Sequence, residues 1–376
     1  MISKLVTLRK ELHQHPELSG EESQTSKRIR DFLMENGATH IITDIGGNGL
    51  AALFTFASQG PVVMIRCELD ALPIEEVNHF SHRSKNKGVS HKCGHDGHMA
   101  IVAGLALWLN QQSFKHGQVI LFFQPAEETG IGAEAVLKNE QFLKFNPDYV
   151  FALHNLPGNE MHTIIQTEKV FSATVQSFAV FLKGKQAHAS EPENGINPAL
   201  AIAALINSFD QLINSNTGDE AFSLLTPIYT RIGEKAYGIS AGDGELHYTI
   251  RAWTDGKMQE LKEKLHKIIS QISNRYALDF SIEWFDYFPV VINADECNVF
   301  IKKAAVINGL QTEQKTTPLK WGDDFGWFSQ KYKTGFFGIG AGLQTPALHH
   351  NNYDFPDELI GTGINMLSEI IKQILE

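Results

Sequence analysis

The chain has 376 residues, of which 43% are hydrophobic and 20% charged, and its formal net charge is −11. Two domains of roughly 100–200 residues are expected from that length. The acidic balance argues against a nucleic-acid or anionic-membrane surface, which would need basic patches. No apolar run approaches the ~20 residues of a membrane span. Met1 to Lys10 is a short amphipathic pattern with no secretory apolar stretch, and Cys67, Cys93 and Cys297 are too scattered for a disulfide framework. A cytoplasmic protein is expected, with Cys93 available as a thiolate.

Ser19 and Glu22 have capping-box spacing ahead of Ile29, Phe32 and Leu33, with Gly37 as a stop signal. Strand-like runs follow at Leu50–Phe56 and Val62–Cys67. Met99–Leu109 has the spacing of a helix, and Val119–Phe123 and Tyr149–Leu153 read as buried strands. Such alternation predicts an α/β sheet covered by helices, with reactive residues at strand ends. From about Phe171 the texture changes. Phe178–Leu182, His247–Trp253 and Phe280–Phe285 read as strands, and Asn197–Ile213 and Lys257–Tyr276 as helices. After Pro289 helix, strand and a polar loop return. The expected architecture is an α/β catalytic domain of residues 1–171 plus 287–376, interrupted by an inserted α+β lid of residues 172–286.

His91-Lys92-Cys93-Gly94-His95-Asp96-Gly97-His98 places one thiol, three imidazoles and a carboxylate within eight residues. Cys and His suit zinc, manganese, cobalt or nickel better than calcium or magnesium. Gln124 to Glu128 ends a buried strand with adjacent carboxylates, which are costly there unless a cation compensates them. Helix-initiating acids in a solvated turn are the alternative. His154 follows another apolar strand, where a satisfied core histidine is the usual occupant. His188 sits among small residues in the insertion, where a turn histidine is the usual reading; Ala347 to Asp354 reads equally as a surface loop. Jointly these patches supply the inventory of a two-metal hydrolytic centre, with ions about 3.5–4 Å apart.

Seven motifs in order carry a family resemblance across nearly the whole chain: Arg9 to Ser19, Glu68 to Ile74, His91 to His98, Gln124 to Glu128, His154 to Pro157, His188, and Leu348-His349. The chain resembles the aminoacylase/carboxypeptidase family of metal-dependent amidohydrolases. Within it, the similar branch hydrolyses N-acyl amino acids, as hippurate hydrolase, auxin-conjugate hydrolase and N-acetyl-diaminopimelate deacetylase do. The resemblance implies a two-domain α/β metallohydrolase with two divalent transition metal ions, manganese or zinc first and cobalt or nickel next. It implies Cys93, His95, Glu128, His154 and His349 as metal ligands, with Cys93 bridging. Glu127 would be the general base toward a metal-bridging water, and His188 would hydrogen-bond the oxyanion as the lid closes. Asp70 and Asp96 would orient ligands, while His91, His98 and His350 have no ligand role in the family pattern. Arg251 would face a substrate carboxylate or form a structural salt bridge.

The implied reaction is hydrolysis of N-acyl, chiefly N-acetyl, amino acids, with no nucleic-acid or membrane partner and with a homodimer formed through the lid. A dipeptidase or carboxypeptidase of the same family, or a binding protein that keeps the fold, is the alternative. Departures from the family pattern bear on substrate choice. Gly238-Ile239-Ser240-Ala241 stands where Asn-Val-Ile-Pro is usual, Glu191-Pro192-Glu193 follows His188, and Trp321-Gly322-Asp323-Asp324-Phe325 replaces Gly-Ala-Glu-Asp-Phe.

Overall fold

Apolar alternation and apolar runs become strands along most of the chain, in a computed structural model that describes residues 1–56 and 59–376. In chain order come helices α1 (Ile2–Gln14) and α2 (Ser23–Glu35), then strands β1 (Ile41–Ile45), β2 (Gly49–Thr55) and β3 (Val62–Glu68). Next are α3 (His95–Leu109), β4 (Gln118–Gln124), α4 (Gly132–Lys138), α5 (Glu140–Leu143), β5 (Tyr149–Leu156), β6 (Ile164–Thr167) and β7 (Val170–Ser172). They are followed by β8 (Thr174–Lys183), β9 (Ala187–His188), α6 (Ala199–Asp210), β10 (Ser223–Ile232), β11 (Ile239–Ser240) and β12 (Asp243–Ala252). The chain continues through α7 (Asp255–Arg275), β13 (Asp279–Phe288), β14 (Val291–Ile292) and α8 (Asp295–Ile307). It ends with β15 (Thr312–Lys315), α9 (Gly326–Ser329), β16 (Lys333–Gly340) and α10 (Leu359–Leu375).

Two compact units result. The first comprises Met1–Phe171, Val291–Thr316 and Asp323–Glu376, and the second Ser172–Val290 and Thr317–Gly322. The first unit is built on a mixed eight-stranded sheet in the order β1-β2-β4-β3-β5-β16-β6-β15. Its centre is parallel: β3 pairs with β4 and β5, and β5 with β16. Parallel strands need both faces covered, and their sequences are accordingly apolar on both sides. Helix α3 is also apolar all round, with Met99 to Ala103, Leu105 and Ala106 at most 1% exposed. A helix of that kind is stable only when enclosed, and α1, α10 and β3 enclose it.

The second unit is an antiparallel sheet in the order β10-β12-β8-β13 with α6 and α7 packed against it. Phe178, Val180 and Leu182 of β8 meet Leu205 and Phe209 of α6 and Leu261, Leu265 and Ile269 of α7 in one core cluster. A separate two-stranded ribbon pairs β9 with β11, setting Ile239 opposite His188. The altered segment Gly238–Ala241 therefore runs beside His188.

Three details depart from the sequence reading. Residues 317–322 belong with the inserted unit, because Leu319 bridges Ser172 and Gly322 lies against Val175 and Phe288. Strand β10 was not anticipated, since Pro227 interrupts its pattern; it occupies the sheet edge and is bulged beside that proline, as proline in strands requires. The expected capping box does not form. Ser19 Oγ donates to Asp70 at 2.7 Å, and the Glu22 carboxylate accepts from Gly20 N and Ala126 N instead of from the start of α2.

Candidate metal centre

The C-terminal ends of four neighbouring parallel strands deliver the polar residues, as expected for an α/β sheet. Beyond β3 lies Asp70, β4 runs into Pro125-Ala126-Glu127-Glu128, β5 carries His154, and the loop after β16 carries His349. Gly94 turns the chain into α3 with φ +97°, and a Cβ there would lie 2.4 Å from Asn155 Oδ1. That turn presents Cys93 and His95 from the same stretch. Sequence periodicity had started the helix at Met99 because its first turn is polar.

Cys93 Sγ lies 3.4 Å from His154 Nε2. It belongs to two groups of donors whose atoms lie within 4.8 Å of one another: Cys93, His95 and His154, and Cys93, Glu128 and His349. His95 Nε2 is 3.8 Å from Glu127 Oε2 and 3.9 Å from Glu128 Oε1, and His349 Nε2 is 3.7 Å from Glu128 Oε2. The five expected ligands and Glu127 thus form one constellation. His349 is its exposed member, with its side chain 52% accessible.

Supporting contacts aim these donors inward. Asp70 is fully buried: its carbonyl accepts from His95 Nδ1 at 2.8 Å, and its Oδ2 accepts from Glu128 N at 2.9 Å. His154 Nδ1 donates to Asn155 O at 2.9 Å, which turns Nε2 toward Cys93. Anchoring one imidazole nitrogen fixes the tautomer in which the other presents a lone pair. Two turns at the site are strained. Ala126 has φ +52° and His349 φ +65°, backbone regions costly for residues other than glycine.

The electrostatics fit missing positive charge. Burial pushes Glu127 well above the usual carboxylate range, and Asp323, Glu128, Asp324 and Asp70 add repulsion. Burial also lifts Glu128 to about 7 against the pull of His95. For His95 burial opposes the charge, but Glu68, Asp70 and Glu128 outweigh it and raise the pKa to about 10. Cys93 is raised by burial and then by Glu128, Glu127 and Glu68. His95 Nε2, Glu128 Oε1 and Asp70 Oδ1 are buried and lack a hydrogen-bond partner among the described residues. Orphaned acceptors beside crowded acids and a thiol are the donor set a soft-to-borderline dication requires, and such an ion reverses the local pKa logic.

The structure also places residues that the sequence reading did not single out. Arg66, 1% exposed, donates from Nε to Gln124 Oε1 at 2.9 Å, from Nη1 to Glu68, and from Nη2 to Asp323 and Asp324 at 3.1 and 2.8 Å. Glu127, Asp323 and Asp324 also form a donor group within 4.8 Å, but Arg66 already supplies a cation to the two aspartates. An arginine inside the apolar run Val62–Cys67 was the available signal for this network. His98 is held at both nitrogens, by Glu68 at 2.8 Å and Asn155 Oδ1 at 2.6 Å, so neither nitrogen is left for an ion. His91 is buried with no hydrogen-bond partner on either nitrogen among the described residues, and His350 is exposed.

Asp96, expected beside the donors, hydrogen-bonds to other partners. Its Oδ2 accepts from His13 Nδ1 at 2.8 Å and Arg9 Nη1 at 3.4 Å. It therefore anchors a buried ion cluster with Glu76 and Lys92, and no hydrogen bond among the described residues joins it to the donor constellation. In the second unit, His188 is exposed; its Nδ1 faces Ser190 Oγ at 2.6 Å and accepts from Ser190 N at 3.1 Å. Arg251 forms no salt bridge among the described residues and donates to Lys320 O at 2.7 Å.

Fold and site together define a metal-dependent amidohydrolase. Residues 64–373 match Peptidase family M20/M25/M40, and the chain belongs to that family. It is 30% identical to the N-acetylcysteine deacetylase of Bacillus subtilis, an alignment covering 100% of this chain and 97% of the relative. It is 28% identical to the hippurate hydrolase of Campylobacter jejuni, covering 98% and 96%. A solved Bacillus subtilis structure described as a dinuclear metal binding peptidase of the M20 family superposes with TM-score 0.84 at 28% identity, over 100% and 98% of the two chains. No helix among the described residues is long and apolar enough to cross a membrane.

Proposed function

We propose that the protein hydrolyses the amide bond of N-acyl amino acids, N-acetyl compounds first, with two divalent ions held by Cys93, His95, Glu128, His154 and His349. The observation that carries this reading is the sharing of Cys93 between two donor groups, with the buried Glu127 carboxylate alongside. The names of the deacetylase and hippurate hydrolase relatives support the substrate class. Zinc and manganese are the proposed ions, given one thiolate among imidazoles and carboxylates.

When bound, the ions supply Lewis acidity that polarises a carbonyl and makes water nucleophilic at neutral pH. Glu127 takes the proton of the attacking water and returns it to the departing amine nitrogen. Asp70 keeps His95 and the Glu128 backbone in register. His188 is the proposed donor to the tetrahedral oxyanion, in its own or a neighbouring subunit. Ser190 N donating to Nδ1 leaves Nε2 as the protonated nitrogen, which is the donor form that role needs. Arg251, without a carboxylate partner among the described residues, is the proposed contact for the substrate carboxylate. A homodimer is proposed through the inserted unit, whose edge strand β10 exposes Ile228, Tyr229 and Ile232 at 62, 50 and 41%.

The experiment is primary-amine release from N-acetyl amino acids, N-acetyl-diaminopimelate and dipeptides, using protein stripped of metal and reloaded with zinc or manganese. Metal-dependent release from the N-acetyl compounds is expected. Preference for free dipeptides would move the assignment to a peptidase, and no release from saturated sites would overturn it.

A further inference from the structure

Glu22 is completely buried. Its Oε1 accepts two backbone donors, Gly20 N at 2.7 Å and Ala126 N at 2.8 Å, and its Oε2 accepts from Asn48 Nδ2 at 2.9 Å. A carboxylate is seldom buried this fully, and no cation pairs with it among the described residues; backbone amides satisfy it. One of them belongs to the residue immediately before Glu127 and Glu128.

Ala126 is also the residue with φ +52°. Successive side chains in extended backbone point to opposite sides, so two adjacent carboxylates reach one site only if the chain turns sharply before them. Left-handed backbone is costly at a residue with a Cβ and persists only where surrounding contacts over-determine it. Here Gly132 N holds Ala126 O at 3.1 Å from one side, and Glu22 holds Ala126 N from the other.

From this geometry we infer that Glu22 is a positioning residue. It locks the Ala126 turn so that Glu127 and Glu128 face the donors on α3 and β5, and the deeper packing of α2 does not need it. The inference rests on the proposed roles of Glu127 and Glu128. It gives Glu22, at the head of α2, a part in the reaction although it touches neither substrate nor ion.

The test compares Glu22→Asp with Glu22→Gln. Aspartate keeps the charge but, one carbon shorter, withdraws its oxygens from Ala126 N. Glutamine loses the charge but keeps a carbonyl oxygen where Oε1 now sits. Zinc affinity is read by competition with a chromophoric chelator, kcat and KM with an N-acetyl amino acid, and folding by thermal melts. Glu22→Asp is expected to lower zinc affinity and kcat on the order of 10- to 100-fold with little change in KM. Glu22→Gln should recover most of that loss, and both should melt cooperatively. Wild-type zinc affinity in Glu22→Asp, or an equal loss in Glu22→Gln, would overturn the inference. Wild-type protein that binds zinc yet releases no amine would defeat the amidohydrolase reading instead, and the zinc affinities would still decide the role of Glu22.

Discussion

Raising the pH should loosen the first unit through one residue, His13 of α1. Its ring is fully buried, with Nδ1 2.8 Å from Asp96 Oδ2 and Nε2 3.1 Å from Glu76 Oε1. Burial opposes its charge, but Asp96 and Glu76 outweigh that cost and raise its pKa from 6.5 to about 9. The folded value exceeds the unfolded one, so the charged ring stabilises the fold fully below the unfolded pKa. That contribution is lost as the pH rises through the folded value. A shift of this size corresponds to about 3 kcal/mol at roughly 1.4 kcal/mol per unit. The assay is urea unfolding of zinc-loaded wild type and His13→Gln in steps from about pH 6 to about pH 10. Both proteins share the pH dependence of the metal ligands, so the difference between them isolates His13. The wild-type advantage should shrink by about 3 kcal/mol across that interval. Parallel stability curves would refute the reasoning.

Three further outcomes follow from the site. Glu127→Gln should bind zinc normally and lose on the order of 10²- to 10⁴-fold in kcat; full metal content with an unchanged rate would remove Glu127 from the mechanism. Because Cys93 belongs to both donor groups, Cys93→Ser should lower the occupancy of both ions, measured as bound metal per chain by elemental analysis. Wild-type stoichiometry would show the thiol to be dispensable. Arg66→Met leaves Glu68, Asp323 and Asp324 without their buried cation, which should cost about 3–5 kcal/mol in chemical denaturation; a loss under about 1 kcal/mol would mean that the acids are neutralised by protonation.

Residues that act through type and spacing were legible in the sequence. Cys93, His95, Glu127, Glu128, His154 and His349 each adjoin an apolar run or a dense motif, and the structure gathers them at one strand edge. Partnerships across long separations were not legible. Ser19 and Glu22 have the local spacing of a helix cap, but Asp70 and Ala126 compete for their side chains and win. Asp96 sits amid the metal motif, yet the first turn of a helix points successive side chains about 100° apart. His95 therefore faces the site while Asp96 faces His13. The pairing of Arg66 with Asp323 and Asp324 spans more than 250 residues, and no local pattern announces it.

The strand order dictates when this protein can become functional during its own synthesis. Strand β6 is made early but reaches the main sheet only through β16, which lies between it and β5. The loop bearing His349 follows β16 directly. Domains fold as units while the chain emerges from the ribosome, so the inserted unit can finish its sheet while its host still waits for a central strand. The host closes only when the late segment arrives, and the last imidazole of the metal constellation arrives with it. A nascent chain stalled before residue 340 would carry Cys93, His95, Glu128 and His154 without the proposed fifth ligand, so the full donor set exists only once His349 has been made.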